Sequence, residues 1–233
     1  ETLTMVNTAL IDGEIPVRTY LPPSGTGPGL VLVQEIFGVS DYILARAADL
    51  AALGYVVAVP ELYWRIGLVA TPESGDDMLA QAMAASQALP WEDAVADTAR
   101  TVAWLRGQSD AVGGVGLIGF CYGGGVAFAA AAQSDPDVLI SYYGSALPRL
   151  VGLAPQVTVP SLHHWGDEDA FIPLETQVEV QSALVHGDSQ EWITHPGAGH
   201  AFDNTNPAFH HAEASAAAWV QTRDFLDRRL PIR

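Results

Sequence analysis

The chain has 233 residues, 10 Lys plus Arg against 27 Asp plus Glu, a formal net charge of −17, 49% hydrophobic residues and one cysteine. A chain this long buries roughly 70–75% of its unfolded surface, and with only 16% charged residues it is too apolar to stay disordered. The acidity opposes nucleic acid and anionic membranes, and because all ten basic residues are arginines there is neither a Schiff-base lysine nor a lysine-containing phosphate loop.

One cysteine makes no intramolecular disulfide, which points to a reducing compartment, the cytoplasm. Residues 1–16 lack the basic start and apolar run of a secretory signal, and no stretch approaches the ~20 apolar residues of a membrane span.

Taken in chain order, glycine and proline divide the sequence into short apolar runs and longer helix-period segments, the pattern of strands joined by helical crossovers. Strands are predicted at 2–10 and 14–20, with Gly13 turning between them. The continuous apolar run 29–34 reads as a buried parallel strand. A helix over 41–53 follows, with Ser40 or Asp41 as N-cap and Gly54 just past its end.

The next strand is 55–59, ended by Pro60. Then come helix 91–106, strand 115–119, helix 123–133, strands 138–143 and 159–165, helix 174–185, strand 191–195 and helix 210–229. About eight strands fit one doubly wound, mostly parallel sheet with helices on both faces, as one domain over residues 1–233.

The only cysteine lies in Gly119-Phe120-Cys121-Tyr122-Gly123, between a strand and a small-residue helix. That is the setting of a nucleophile elbow, where flanking glycines relieve a sharp turn that lifts the nucleophile above the strand ends. Thiolate is the nucleophilic form, and the positive end of the following helix favours negative charge there.

In hydrolases of this chain order an acid and then a histidine follow the nucleophile. Gly166-Asp167-Glu168-Asp169 follows strand 159–165, and Pro196-Gly197-Ala198-Gly199-His200 follows strand 191–195. Asp167, Glu168 and Asp169 compete for the acid role; Asp167 suits a turn after Gly166, which favours Asp169. Among seven histidines His200 is preferred for its glycine-rich loop. His163 and His164 are adjacent on a strand, point to opposite faces and read as packing and edge residues rather than metal ligands. His210 and His211, near the start of the last helix, read as solvated.

After the early strand, Gln34-Glu35-Ile36-Phe37-Gly38 supplies a further element. The Ile36 amide pairs naturally with that of Tyr122 as an oxyanion hole, leaving Glu35 to face the thiol or to be a solvated loop carboxylate.

Taken together, QEIFG, GFCYGG, GDEDAFIP and PGAGHAF closely resemble the dienelactone hydrolase (carboxymethylenebutenolidase) family of the α/β-hydrolase superfamily, over roughly residues 6–226. The resemblance implies an α/β-hydrolase fold, a Cys121–Asp169–His200 triad, and Glu35 controlling the charge state of the thiol. It implies a lactone or small ester cleaved through an acyl-enzyme on Cys121, with no metal or organic cofactor.

Two departures bear on the substrate. Where similar dienelactone hydrolases have arginine four residues after the histidine and another before Trp91, this chain has Asn204 and no arginine over 74–90; Ala201 stands where serine is expected. Asparagine cannot replace a bidentate guanidinium clamp. A pocket of Phe37, Tyr63, Trp64, Trp91, Tyr143, Phe171 and Phe202, with Asn204, then suggests a neutral, partly aromatic ester or lactone. The alternatives are a general carboxylesterase or thioesterase, or a non-catalytic hydrolase-fold protein that binds a hydrophobic ligand. A small-molecule substrate is the expected partner, with no nucleic acid or membrane, and the protein a monomer or small homo-oligomer.

Overall fold

A computed structural model describes residues 5–232. Its eight strands are β1 (Met5–Ile11), β2 (Ile15–Leu21), β3 (Gly27–Val33), β4 (Val56–Pro60), β5 (Ala111–Phe120), β6 (Leu139–Tyr142), β7 (Ser161–Gly166) and β8 (Gln190–His195). They form one sheet in the order β1-β2-β4-β3-β5-β6-β7-β8, with β1 and β2 antiparallel and every pair from β4 to β8 parallel. This is the expected mostly parallel sheet. Residues 2–4 of the first predicted strand lie outside the described residues.

The helices are α1 (Asp41–Leu53), α2 (Met78–Ala88), α3 (Trp91–Arg106), α4 (Tyr122–Ser134), α5 (Leu147–Leu150), α6 (Leu174–Leu184) and α7 (Ala212–Arg229). α2 has no counterpart in the sequence reading. Its buried face consists of Ala82 and Ala85 alone, too weak a stripe to announce a helix. Short 3-10 turns at Leu62–Ile66 and Val151–Gln156 also escaped prediction.

β3 and the core half of β5 are continuous buried apolar runs because they are covered on both faces. Helix α3 packs beside α4 on one face, and α1 meets α7 through Arg46, whose guanidinium lies 4.9 Å from the Trp219 ring and 3.4 Å from Ser215 Oγ.

The connectivity locates the site. From β3 the chain moves outward to β4, then returns to place β5 on the other side of β3. Crossovers therefore diverge at the carboxyl ends of β3 and β5 and leave a crevice there. Glu35 and Ile36 follow one of these ends, and Cys121 follows the other.

Two smaller expectations are corrected. β7 is hydrogen-bonded on both sides, by β6 and β8, so His163 and His164 are interior rather than edge residues, and both are fully buried. His164 Nδ1 is 3.0 Å from His195 Nε2 and its Nε2 is 3.1 Å from Thr222 Oγ1. His211 is not simply solvated: its Nδ1 accepts the Ala214 amide at 3.2 Å and caps α7.

Candidate active site

Cys121 joins β5 directly to α4 with φ 52° and ψ −114°, a backbone conformation that a non-glycine residue adopts only when its surroundings hold it there. Three bonds do so. Its N–H donates to Tyr142 O at 3.0 Å, and its carbonyl accepts from Gly124 N at 3.0 Å and Ser145 N at 3.1 Å.

The flanking glycines are required by space. A Cβ on Gly119 would lie 2.1 Å from Gly123 O, and one on Gly123 would lie 2.4 Å from Val33 O and Gln34 O. The start of α4 thus presses onto the end of β3, bringing the thiol beside the 34–38 loop.

His200 Nε2 lies 3.0 Å from Cys121 Sγ, and its Nδ1 lies 2.7 Å from Asp169 Oδ2. The other Asp169 oxygen accepts the Phe171 and Ile172 amides at 2.8 and 3.0 Å, so the buried carboxylate is fully oriented. Asp167 serves a different purpose. Its Oδ1 accepts the Gly197 amide at 2.7 Å, and with the Glu168 N–H on Ala198 O at 3.0 Å it ties the acid loop to the histidine loop.

Burial disfavours a charged imidazole at His200, but the charge of Cys121 and the hydrogen bond to Asp169 outweigh it and raise its pKa to about 10.

Glu35 is 1% exposed, which excludes a solvated loop carboxylate. Its Oε2 accepts Asn204 Nδ2 at 2.6 Å, and the Tyr143 hydroxyl stands 3.4 Å from Oε1. Burial pushes its carboxyl up to about 7, against the Asn204 bond and the His200 charge, which both act to lower it. The folded protein therefore binds this proton more tightly than the unfolded chain does, and the cost of ionising Glu35 accumulates as pH rises from about 4.5 to about 7. Glu35→Gln is expected to stabilise the protein at pH 8 by on the order of 2–3 kcal/mol and to have no such effect below pH 4, as urea unfolding at the two values will show.

The tyrosine of the 3-10 turn supports the 34–38 loop. Tyr63 Oη donates to Ile36 O at 2.6 Å, fixing that peptide. Phe37 O and the Val39 N–H are bonded to Thr71 N and Val69 O. Tyr122 is the first residue of α4, so its N–H has no partner within the helix.

A cavity of about 580 Å³ opens over Cys121 and holds Glu35, Ile36, Tyr122 and His200 in its wall. Of the predicted pocket residues, Phe37, Trp91 and Phe171 line it. Tyr63, Trp64, Tyr143 and Phe202 do not. The Trp64 Nε1–H donates to Asp97 at 3.1 Å, while Tyr143 and Phe202 pack on each other beneath the site. Asn204 is buried behind Glu35. Sequence reasoning missed Leu79, Met83 and Leu89, which come from α2 and its exit, and Phe209. Among the described residues no group of three His, Cys, Asp or Glu side chains is placed to hold a metal ion.

A buried ion pair secures the histidine loop from outside. Asp203, fully buried, accepts Arg46 Nε and Nη2 at 2.8 Å each, the Ser215 hydroxyl at 2.7 Å and the Tyr42 hydroxyl at 2.5 Å. Asp203→Ala would leave a guanidinium that is only 14% exposed without its carboxylate, an expected loss of about 3–5 kcal/mol of stability in urea titration.

Residues 15–230 match the dienelactone hydrolase family. The chain is 32% identical over 223 residues to a carboxymethylenebutenolidase of Pseudomonas sp. strain P51, covering 94% of this chain and 92% of that protein. It is 31% identical over 207 residues to the carboxymethylenebutenolidase of Pseudomonas putida, covering 88% and 87%. A structure from Klebsiella pneumoniae subsp. pneumoniae MGH 78578, carrying a provisional dienelactone hydrolase assignment, superposes with a TM-score of 0.80 at 26% identity over 96% of this chain and 98% of that one.

Proposed function

Because the chain belongs to the dienelactone hydrolase family, a family of hydrolases acting on ester or lactone bonds, we propose that it cleaves its substrate through an acyl-enzyme on Cys121. The observation that carries this reading is the continuous contact Cys121 Sγ to His200 Nε2 to Asp169 Oδ2, at 3.0 and 2.7 Å, beneath a cavity large enough for substrate.

Sulfur attacks the ester carbonyl, and the tetrahedral oxyanion lies against the Ile36 and Tyr122 amides. As it collapses, the proton on His200 Nε2 passes to the departing oxygen and a thioester remains. Water, deprotonated by the same nitrogen, then attacks the thioester and releases the acid and the thiol. Asp169 holds the ring with Nδ1 protonated throughout. Glu35, in the cavity wall and held by Asn204 and Tyr143, adjusts the charge of the site.

The apolar wall formed by Leu79, Met83, Leu89, Trp91 and Phe37 supports an ester or lactone with a hydrophobic acyl part, and Arg149 places one guanidinium in the same lining. The reduced thiol that this chemistry needs supports the cytoplasm as its compartment.

Kinetics on a dienelactone, p-nitrophenyl acetate and an acyl thioester test the assignment. Turnover of the lactone supports it; negligible lactone turnover beside fast ester turnover would replace it with a general carboxylesterase. Glu35 has its own signature. Its charge and that of His200 attract each other, so its ionisation near pH 7 changes the electrostatics around the imidazole. The iodoacetamide rate of the wild type relative to Glu35→Gln is expected to change across pH 7, where Glu35 ionises. A constant ratio would leave Glu35 a bystander.

A further inference from the structure

A second cavity, of about 360 Å³, adjoins the first and shares His200, Phe171 and Phe209 with it. The catalytic residues are divided unequally between the two. Cys121, Ile36 and Tyr122 border only the larger cavity, whereas His200 borders both. The tetrahedral carbon and its oxyanion therefore belong to the larger cavity. Of the candidate catalytic residues in the larger cavity, the one that also lines the smaller is His200, the residue that must protonate the departing oxygen.

This division assigns the halves of an ester. The leaving oxygen has to come within hydrogen-bond reach of His200 Nε2, so the carbon chain it carries runs past the imidazole. Phe171, 67% exposed and with its ring 5.1 Å from the His200 ring, stands at the partition. A closed lactone needs no such space, because its alkoxide stays tethered to the acyl group.

The walls of the smaller cavity differ in chemistry from the apolar acyl side. Glu168, exposed at its edge, offers a carboxylate. His211 uses Nδ1 to accept the Ala214 amide, which leaves Nε2–H as a donor. Gly199, beside the histidine, keeps the floor open: a Cβ there would meet only Glu168 O, at 3.9 Å. An acceptor and a donor spaced around an open floor suit a hydroxylated alcohol.

We propose that this cavity is a leaving-group subsite for small polyols, and that the enzyme cleaves open-chain polyol esters as well as closed rings. The inference rests on the acyl-enzyme reading. In the step concerned the Cys121 sulfur–carbon bond forms, the carbon–oxygen bond to the polyol breaks, and the polyol leaves with the His200 proton. Water then takes the emptied place by the imidazole, cleaves the thioester and returns the proton to the thiol.

The test compares glycerol monobutyrate with methyl butyrate, which share one acyl group, in the wild type, in Ala208→Trp, which fills the cavity from its exposed side, and in Glu168→Ala. Values of kcat/KM report acylation alone. The wild type is expected to prefer the glycerol ester by about tenfold, with the preference lost in Ala208→Trp and reduced in Glu168→Ala. If Ala208→Trp fails to fold, Glu168→Ala alone decides. A wild type that hydrolyses both esters with a ratio near one, or a ratio that the folded variants leave unchanged, overturns the subsite and spares the acyl-enzyme reading. A wild type that hydrolyses neither ester but turns over a lactone likewise overturns the subsite alone, whereas one that hydrolyses neither esters nor lactones overturns both.

Discussion

Cys121→Ala is expected to lower kcat/KM for any ester or lactone the protein turns over by about 10⁴-fold, while leaving the fold intact. The effect is large because the attacking atom itself is removed and the sequence holds no other thiol. What survives is the contribution of binding and the oxyanion amides, which act on a water-mediated reaction only weakly. Alanine fits the elbow without new strain, since the constraint at residue 121 is on its backbone, held by Tyr142, Ser145 and Gly124. Thermal unfolding close to that of the wild type, together with the activity loss, separates chemistry from folding. Cys121→Ser keeps a polar atom there, yet the hydroxyl is far harder to ionise than a thiol, so it too is expected to lose most activity.

The second large effect concerns the imidazole. His200→Gln is expected to reduce kcat/KM by about 10⁴-fold, close to the loss for Cys121→Ala, because the two residues work as one unit and a double variant should add little. Asp169→Asn is expected to cost about 10²–10⁴-fold, since it removes the acceptor at 2.7 Å that sets the ring's tautomer. Both changes carry a sign in pH. The Asp169 bond raises the pKa of His200; without it the ring holds its proton less firmly and the sulfur loses its counter-ion. Iodoacetamide labelling at pH 7 is therefore expected to slow in both variants. Equal labelling in wild type and variants would mean that His200 does not share its proton with Cys121.

Much of this arrangement is legible in the sequence because it is local. The elbow glycines, the small residues opening α4 and the loops after β7 and β8 each sit within a few positions of the residue they serve. The parallel order of the strands brings those loops to one edge of the sheet. Glu35 is legible as a position but not in its surroundings. Its partners Asn204 and Tyr143 lie 169 and 108 residues away, and no short pattern announces them. The Arg46–Asp203 pair, 157 residues apart, is invisible for the same reason.

The aromatic residues show a different limit. Phe37, Trp91 and Phe171 line the cavity while Tyr63, Trp64, Tyr143 and Phe202 support it from behind, although all seven sit near strand ends or in connecting segments. Which way such a ring turns depends on tertiary partners, such as the Ile36 carbonyl for Tyr63 and Asp97 for Trp64. Helix α2 escaped because alanine alone forms its buried face, so its contribution of Leu79 and Met83 to the site escaped with it.

The central claim is a thioester on Cys121, and acid-quenched mass spectrometry of the protein during turnover of a slowly deacylated ester tests it most directly. The expected result is an added mass equal to the acyl group, mapped to the peptide containing Cys121, lost on chase with water and absent in Cys121→Ala. Undiminished turnover with no adduct, or an adduct mapped to a different residue, would contradict it.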